Sequence, residues 1–106
     1  MARGSELTSP GGWLERHTSQ APPALRDRVR VYAAAAAGDL PDALAVASRN
    51  ALGHVLSHPG DRPVALDLLA ADGLITLALL AQAESSPGRL RDFAASLLTA
   101  GVRGGD

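Results

Sequence analysis

The sequence predicts an all-α protein, a small antiparallel four-helix bundle. Apolar residues recur at helical spacing in four successive segments, and no segment alternates apolar and polar residues as a strand would. Short connections containing Pro or Gly separate these segments, which favours an up-and-down bundle. We expect a flexible tail over residues 1–12, the helical bundle domain over 13–102 and a second tail over 103–106.

The first long helix is predicted over residues 22–37. Pro22 suits a first helical turn, and Leu25, Val29 and Tyr32 form one apolar stripe. Ahead of this helix, Trp13 begins a single helical turn. We expect its ring to dock on the core as a latch, and contact with a partner is the alternative.

The second and fourth helices have clear start and stop signals. The second is predicted over residues 40–57, after Asp39 as N-cap, and it ends at the His58-Pro59 pair. The fourth begins after Pro87 and is strongly amphipathic. Gly101 is its predicted stop, because glycine favours the left-handed conformation that ends many helices.

The third helix, predicted over residues 61–84, is the most apolar segment of the chain. Its large apolar residues spread around most of the circumference, as is typical of a central helix. Three short neighbours cannot cover so much leucine, so we expect a homodimer or a higher homo-oligomer. Small residues on one side would let a helix of a second subunit approach closely. The predicted interface residues are Trp13, Ala70, Ala71, Leu74, Ala78 and Ala81.

Composition and charge narrow the range of functions. The 106 residues carry a formal net charge of −1, and there is no Cys. Nucleic-acid binding needs an excess of clustered positive charge, so we expect no nucleic-acid partner. The lack of Cys excludes a disulfide scaffold, a Cys-ligated zinc site and a Cys nucleophile.

The sequence also predicts a cytoplasmic protein that does not enter membranes. Asp67 and Asp72 interrupt the most apolar segment, and carboxylates are costly in lipid. The first 12 residues lack the apolar run of a secretory signal. A composition rich in Ala, Gly and Arg suggests a bacterial source with a GC-rich genome.

His54 and His58 are the candidate metal ligands. They are four residues apart on the second helix, so their rings lie on one face and could share a metal ion. The zinc-protease pattern H-E-x-x-H is not met. The alternative is structural, because an imidazole at a helix C-terminus interacts favourably with the helix dipole.

Asp72 is the candidate buried carboxylate, with Thr76 one turn later. On a helical wheel Asp72 falls inside the apolar arc of the third helix, and a dry carboxylate requires a hydrogen-bonding or charged partner. We predict that Asp72 is buried and paired and fixes the register of the helices. The alternatives are a functional carboxylate in a ligand cavity, and a position in solvent or at a subunit interface.

The sequence has no catalytic constellation that we can identify. It lacks a Gly-rich phosphate loop, a nucleophile elbow and a di-iron motif. We therefore predict a protein without catalytic activity or cofactor that associates with itself or with an unidentified protein. The alternative is a bundle that binds a small ligand or a metal between its second and third helices, near His54, His58, Asp72 and Thr76.

Overall fold

The structure is a computed structural model that describes residues 10–60 and 62–104. Within these ranges every regular element is a helix and none is a strand, so the all-α prediction is confirmed. A single 3-10 turn, Pro87–Arg89, precedes the last helix. The five α-helices, numbered in chain order, are α1 (Pro10–His17), α2 (Pro23–Ala35), α3 (Leu40–Ser57), α4 (Val64–Ser85) and α5 (Leu90–Gly104).

The centre of the molecule is the hairpin formed by α3 and α4, which share the most extensive helix contact. His54, near the end of α3, approaches Asp67, near the start of α4. Leu40, at the start of α3, lines one groove together with Ser85, at the end of α4. The two helices are therefore antiparallel. Small side chains let them pack closely, and the most deeply buried alanines are Ala47, Ala51, Ala70, Ala71, Ala78 and Ala81.

The other helices surround this hairpin. α2 and α5 each contact both of its helices. Val29 of α2 is buried in the core, and Phe93 of α5 packs against the core as a partly buried side chain. α1 covers the end where α4 terminates, because the buried Trp13 donates a hydrogen bond from Nε1 to Glu84 Oε1 at 2.7 Å. The prediction of a tryptophan latch is confirmed.

The helix ends agree with most of the turn signals, with two corrections. Asp39 precedes α3 in an extended conformation as predicted, but its side chain makes no capping hydrogen bond. Gly38 before it has φ +114°, a value that favours glycine. However, α1 begins at Pro10, inside the predicted N-terminal tail. α5 passes through Gly101 and ends at Gly104, so the predicted stop is wrong. Gly101 lies within α5, and a helical glycine weakens a helix without ending it.

α4 is continuous through Gly73, but its burial differs from the prediction. One side is buried against the hairpin partner, and the opposite side faces outward with Leu68, Leu69, Ile75 and Leu80 exposed by 37 to 56 %. The small-residue side, predicted to meet a second subunit, instead packs inside this chain. A short connection holds α3 beside it, so α3 takes the place that a foreign helix would need. All six predicted interface residues lie inside the core of this chain: Trp13, Ala70, Ala71, Leu74, Ala78 and Ala81.

Candidate functional site

Asp67 is the main polar feature inside the molecule. Its side chain is only 1 % exposed, on the buried side of α4. The Tyr32 hydroxyl donates a hydrogen bond to Oδ1 at 2.9 Å, and an Arg28 guanidinium nitrogen lies 3.3 Å from the same oxygen. His54 Nε2 lies 3.7 Å from Oδ2. Asp67 therefore joins α4 to both α2 and α3. We call these four residues the Asp67 cluster.

The cluster is dry on the inside and open to solvent at its edge. Arg28 and His54 are 38 and 44 % exposed, so water screens their charges. Asp67 Oδ2 is buried and has no hydrogen-bond partner in the described part of the chain. Burial raises the pKa of Tyr32, and the hydrogen bond to Asp67 and the charge of that carboxylate raise it further. The nearby Arg28 opposes this shift, because its positive charge stabilises a phenolate.

The Asp67 cluster has the properties that we predicted for Asp72. Asp72 and Thr76 are both exposed, so the prediction that they are buried is wrong. The Thr76 hydroxyl donates to the Asp72 backbone carbonyl at 3.1 Å, a contact within one helical turn. The error has a physical source. The arc that contains Asp72 is rich in leucine, but this is the outward arc, and the alanine-rich arc that contains Asp67 is the buried one.

A signal for Asp67 was present in the sequence. Asp67, Ala70, Leu74 and Ala81 recur at spacings of three, four and seven residues along one stripe. Small residues in such a stripe allow close helix contact, and the nearest helix in the chain is α3. A carboxylate in a closely packed stripe is buried, and Tyr32 is the one tyrosine available to satisfy it.

His54 and His58 lie together but are not arranged as a chelate. Their rings stack with centroids 4.3 Å apart and planes 26° apart. The nitrogen lone pairs lie in the ring planes, and two stacked, nearly parallel planes do not bring their lone pairs to one point, as a shared metal ion requires. His58 Nδ1 also lies 3.0 Å from the His54 backbone carbonyl oxygen. Among the described residues, no group of three or more His, Cys, Asp or Glu could hold a metal ion.

The histidine pair is also separate from the other residues of the predicted pocket. Asp72 and Thr76 point outward from α4, whereas His54 approaches the buried Asp67. A groove of about 550 Å³ lies at the opposite end of the hairpin, between the start of α3, the end of α4 and the start of α5. Its lining includes Asp39, Asp42, Gln82, Arg89, Asp92 and Phe93. The structure therefore does not unite the predicted ligand residues around one cavity.

The outward side of α4 is the second candidate site. We define this outer face by its exposed residues Leu68, Leu69, Asp72, Ile75, Thr76 and Leu80. The half-buried Leu79 also belongs to it, as do Ala65 and Ala83 near the two ends of the helix. α4 has 22 residues and is long and apolar enough to cross a membrane, by length and composition alone. In its most apolar 18-residue window, 44 % of the residues are buried inside the molecule.

Comparison with known proteins gives no family assignment. No protein-family model matches the chain. Searches of curated proteins and of solved structures likewise find no match.

Proposed function

We propose that this protein is a helical self-assembly module without catalytic activity, and that it associates with a second copy through the outer face of α4. Its four longer helices, α2 to α5, would form a bundle that the second copy completes. The observation that carries the proposal is the exposure of Leu68, Leu69, Ile75 and Leu80 on one face of one helix. Large contiguous apolar patches are unusual on monomeric proteins and mark interaction sites.

The size of the patch supports association of modest strength. The exposed fractions of these four side chains amount to about two whole side chains, worth roughly 3–6 kcal/mol for each copy when buried. A symmetric pair gains this twice, or about 6–12 kcal/mol, which is of the same order as the free energy lost when two molecules give up their independent motion. We therefore expect a dimer that forms reversibly with increasing concentration.

Sedimentation equilibrium or light scattering from about 1 μM to 1 mM tests the proposal. The natural chain is compared with Leu69→Gln and with Leu56→Gln, a matched control on α3. The two leucines are similarly exposed, Leu56 by 63 % and Leu69 by 56 %, but only Leu69 belongs to the outer face. Half-burial of Leu69 in both subunits is worth roughly 2–3 kcal/mol, so Leu69→Gln should weaken the dimer about 30- to 150-fold. Leu56→Gln should leave the dissociation constant unchanged.

Three results would contradict the proposal. The chain could remain monomeric up to about 1 mM, a concentration at which an association worth only about 4 kcal/mol would already be visible. The two leucine variants could weaken association equally. A monomer that floats with lipid vesicles would identify a membrane as the partner of the outer face, since amphipathic helices bind such surfaces.

The alternative of a ligand- or metal-binding bundle has less support. It requires His54, His58, Asp72 and Thr76 around one pocket, and the first two lie on a different side of the hairpin from the last two. We assign the Asp67 cluster a structural role, in which one carboxylate fixes the register of three helices. In some proteins, buried polar groups of this kind favour one packing arrangement over its alternatives.

A further inference from the structure

We infer that the two copies pair with their α4 helices antiparallel, about a two-fold axis that passes beside Leu74. This inference rests on the proposed self-association and adds the orientation and the register. Its basis is that, apart from Ile75, whose symmetric position holds Gly73, the outer face has similar residue types at equal distances from Leu74. Asp72 and Thr76 are each two residues from Leu74. Leu69 and Leu79 are each five residues from it, and Leu68 and Leu80 are each six. Ala65 and Ala83 are each nine residues from it.

An antiparallel two-fold pair converts this symmetry into matching contacts. Such an axis places each residue before Leu74 opposite a partner residue at the same distance after it. Leucine then meets leucine, and alanine meets alanine at both ends. Asp72 meets Thr76 of the partner subunit, whose hydroxyl can turn from its own helix carbonyl to the carboxylate. Apolar contacts therefore stay together, and the polar groups of the face meet each other.

A parallel pair would lose this match. In parallel orientation every residue lies opposite its own equivalent, so the two Asp72 carboxylates would face each other in a drying interface. Like charges in direct apposition oppose association. The antiparallel arrangement also sets the negative C-terminal end of each α4 beside the positive N-terminal end of the other. Both electrostatic effects favour the same orientation.

The helix is long enough for the full set of contacts. Its 22 residues give a length of about 33 Å. This length holds three successive contacts on each side of the axis. The first is between Asp72 and Thr76 of the two copies, the second is between leucines, and the third is between alanines. The alanines are small and lie at the centre of the face on a wheel of 100° per residue, so they are the best positions for a covalent probe.

Cysteine cross-linking tests the orientation, because the natural chain contains no Cys. The variants are Ala65→Cys and Ala83→Cys, each prepared alone and then mixed, with glutathione disulfide as oxidant. In the antiparallel pair, residue 65 of one copy faces residue 83 of the other, within the short Cα separation that a disulfide needs. Equivalent residues are about 27 Å apart along the helix axis. Ala24→Cys, an exposed alanine on α2, reports random oxidation.

The expected result is a covalent dimer in the oxidised mixture and monomers from each single variant and from Ala24→Cys. Sedimentation of each reduced variant should match the natural chain, which confirms that the cysteines preserve folding and association. If reduced chains dimerise and Ala65→Cys links to itself, the pair is parallel and the inference is overturned. If reduced chains dimerise but no combination cross-links, the register is wrong. If no chain dimerises, the proposed function itself fails.

Discussion

Replacing Asp67 by alanine is the sharpest test of the internal polar cluster. The substitution removes the acceptor of the Tyr32 hydroxyl and the partner of Arg28. A hydrogen bond to a charged group contributes roughly 1.5–3 kcal/mol. The ion pair adds at most about 1 kcal/mol, because Arg28 is partly exposed and its charge is screened. The substitution also removes the buried Oδ2 atom, which has no hydrogen-bond partner in the described part of the chain, and this gain offsets part of the loss. We therefore expect a net destabilisation of about 2–3 kcal/mol.

Asp72→Ala is the matched control on the same helix. Its carboxylate is exposed, so its removal should change the free energy of unfolding by less than about 0.5 kcal/mol. Both substitutions gain the same helix propensity of alanine over aspartate, and that contribution cancels in the comparison. For a domain of this size, Asp67→Ala should lower Tm by about 10–20 °C, and Asp72→Ala by no more than about 4 °C.

The assay is thermal unfolding followed by circular dichroism, at a concentration where the chain is monomeric. Repeating Asp67→Ala in a Tyr32→Phe background isolates the hydrogen bond. The loss there should be smaller by about 1 kcal/mol or more, since contacting residues are not additive. Equal Tm shifts for Asp67→Ala and Asp72→Ala would refute the assignment of Asp67 as the buried clasp, and full additivity with Tyr32→Phe would refute the hydrogen bond.

Two further predictions follow from single side chains. Tyr32 is the one tyrosine, and the chain has neither Lys nor Cys, so it is the one side chain that should titrate between about pH 9 and 12. Because folding raises the pKa of Tyr32, the unfolded chain loses the phenolic proton first. The contribution of Tyr32 to stability should therefore be constant up to about pH 10 and fall above it. Urea midpoints and tyrosinate absorbance measure this, and an unchanged slope in Tyr32→Phe would contradict it. Trp13→Phe keeps an aromatic ring but loses the hydrogen bond to Glu84, so urea unfolding should show a loss of about 1 kcal/mol; no change would mean that ring packing alone holds α1.

The sequence predicted where the helices lie better than which side of the most apolar helix, α4, is buried. Pro and Gly residues mark the connections, and α2, α3 and α4 begin and end within a few residues of the predicted bounds. These signals are local, because a proline or glycine restricts its own backbone wherever the chain folds. Gly101 is the exception: glycine permits a left-handed stop but does not require one.

The burial of α4 could not be predicted from apolar periodicity alone. Both of its arcs are apolar, one made of alanine and one of leucine, so the pattern gives no preferred side. We expected leucine to be central, because it buries more area than alanine. The structure instead buries Ala70 and Ala78 against α3 and leaves Leu68 and Leu69 outside. Close approach of two backbones requires small side chains, and this requirement decides which arc faces the hairpin partner.

The alanine-rich arc and the leucine-rich arc of α4 make two different kinds of contact. Inside the chain, the alanine arc and the Asp67 cluster fix one close packing of the hairpin. The leucine arc adds little to the folded monomer, since Leu69 is 56 % exposed there. Leu69→Gln should therefore leave the Tm of the monomer within about 4 °C of the natural chain, as expected for a surface position, while it weakens the dimer. A variant that lost monomer stability and association together would place Leu69 in the folding core, and the outer face would then no longer be a separate surface.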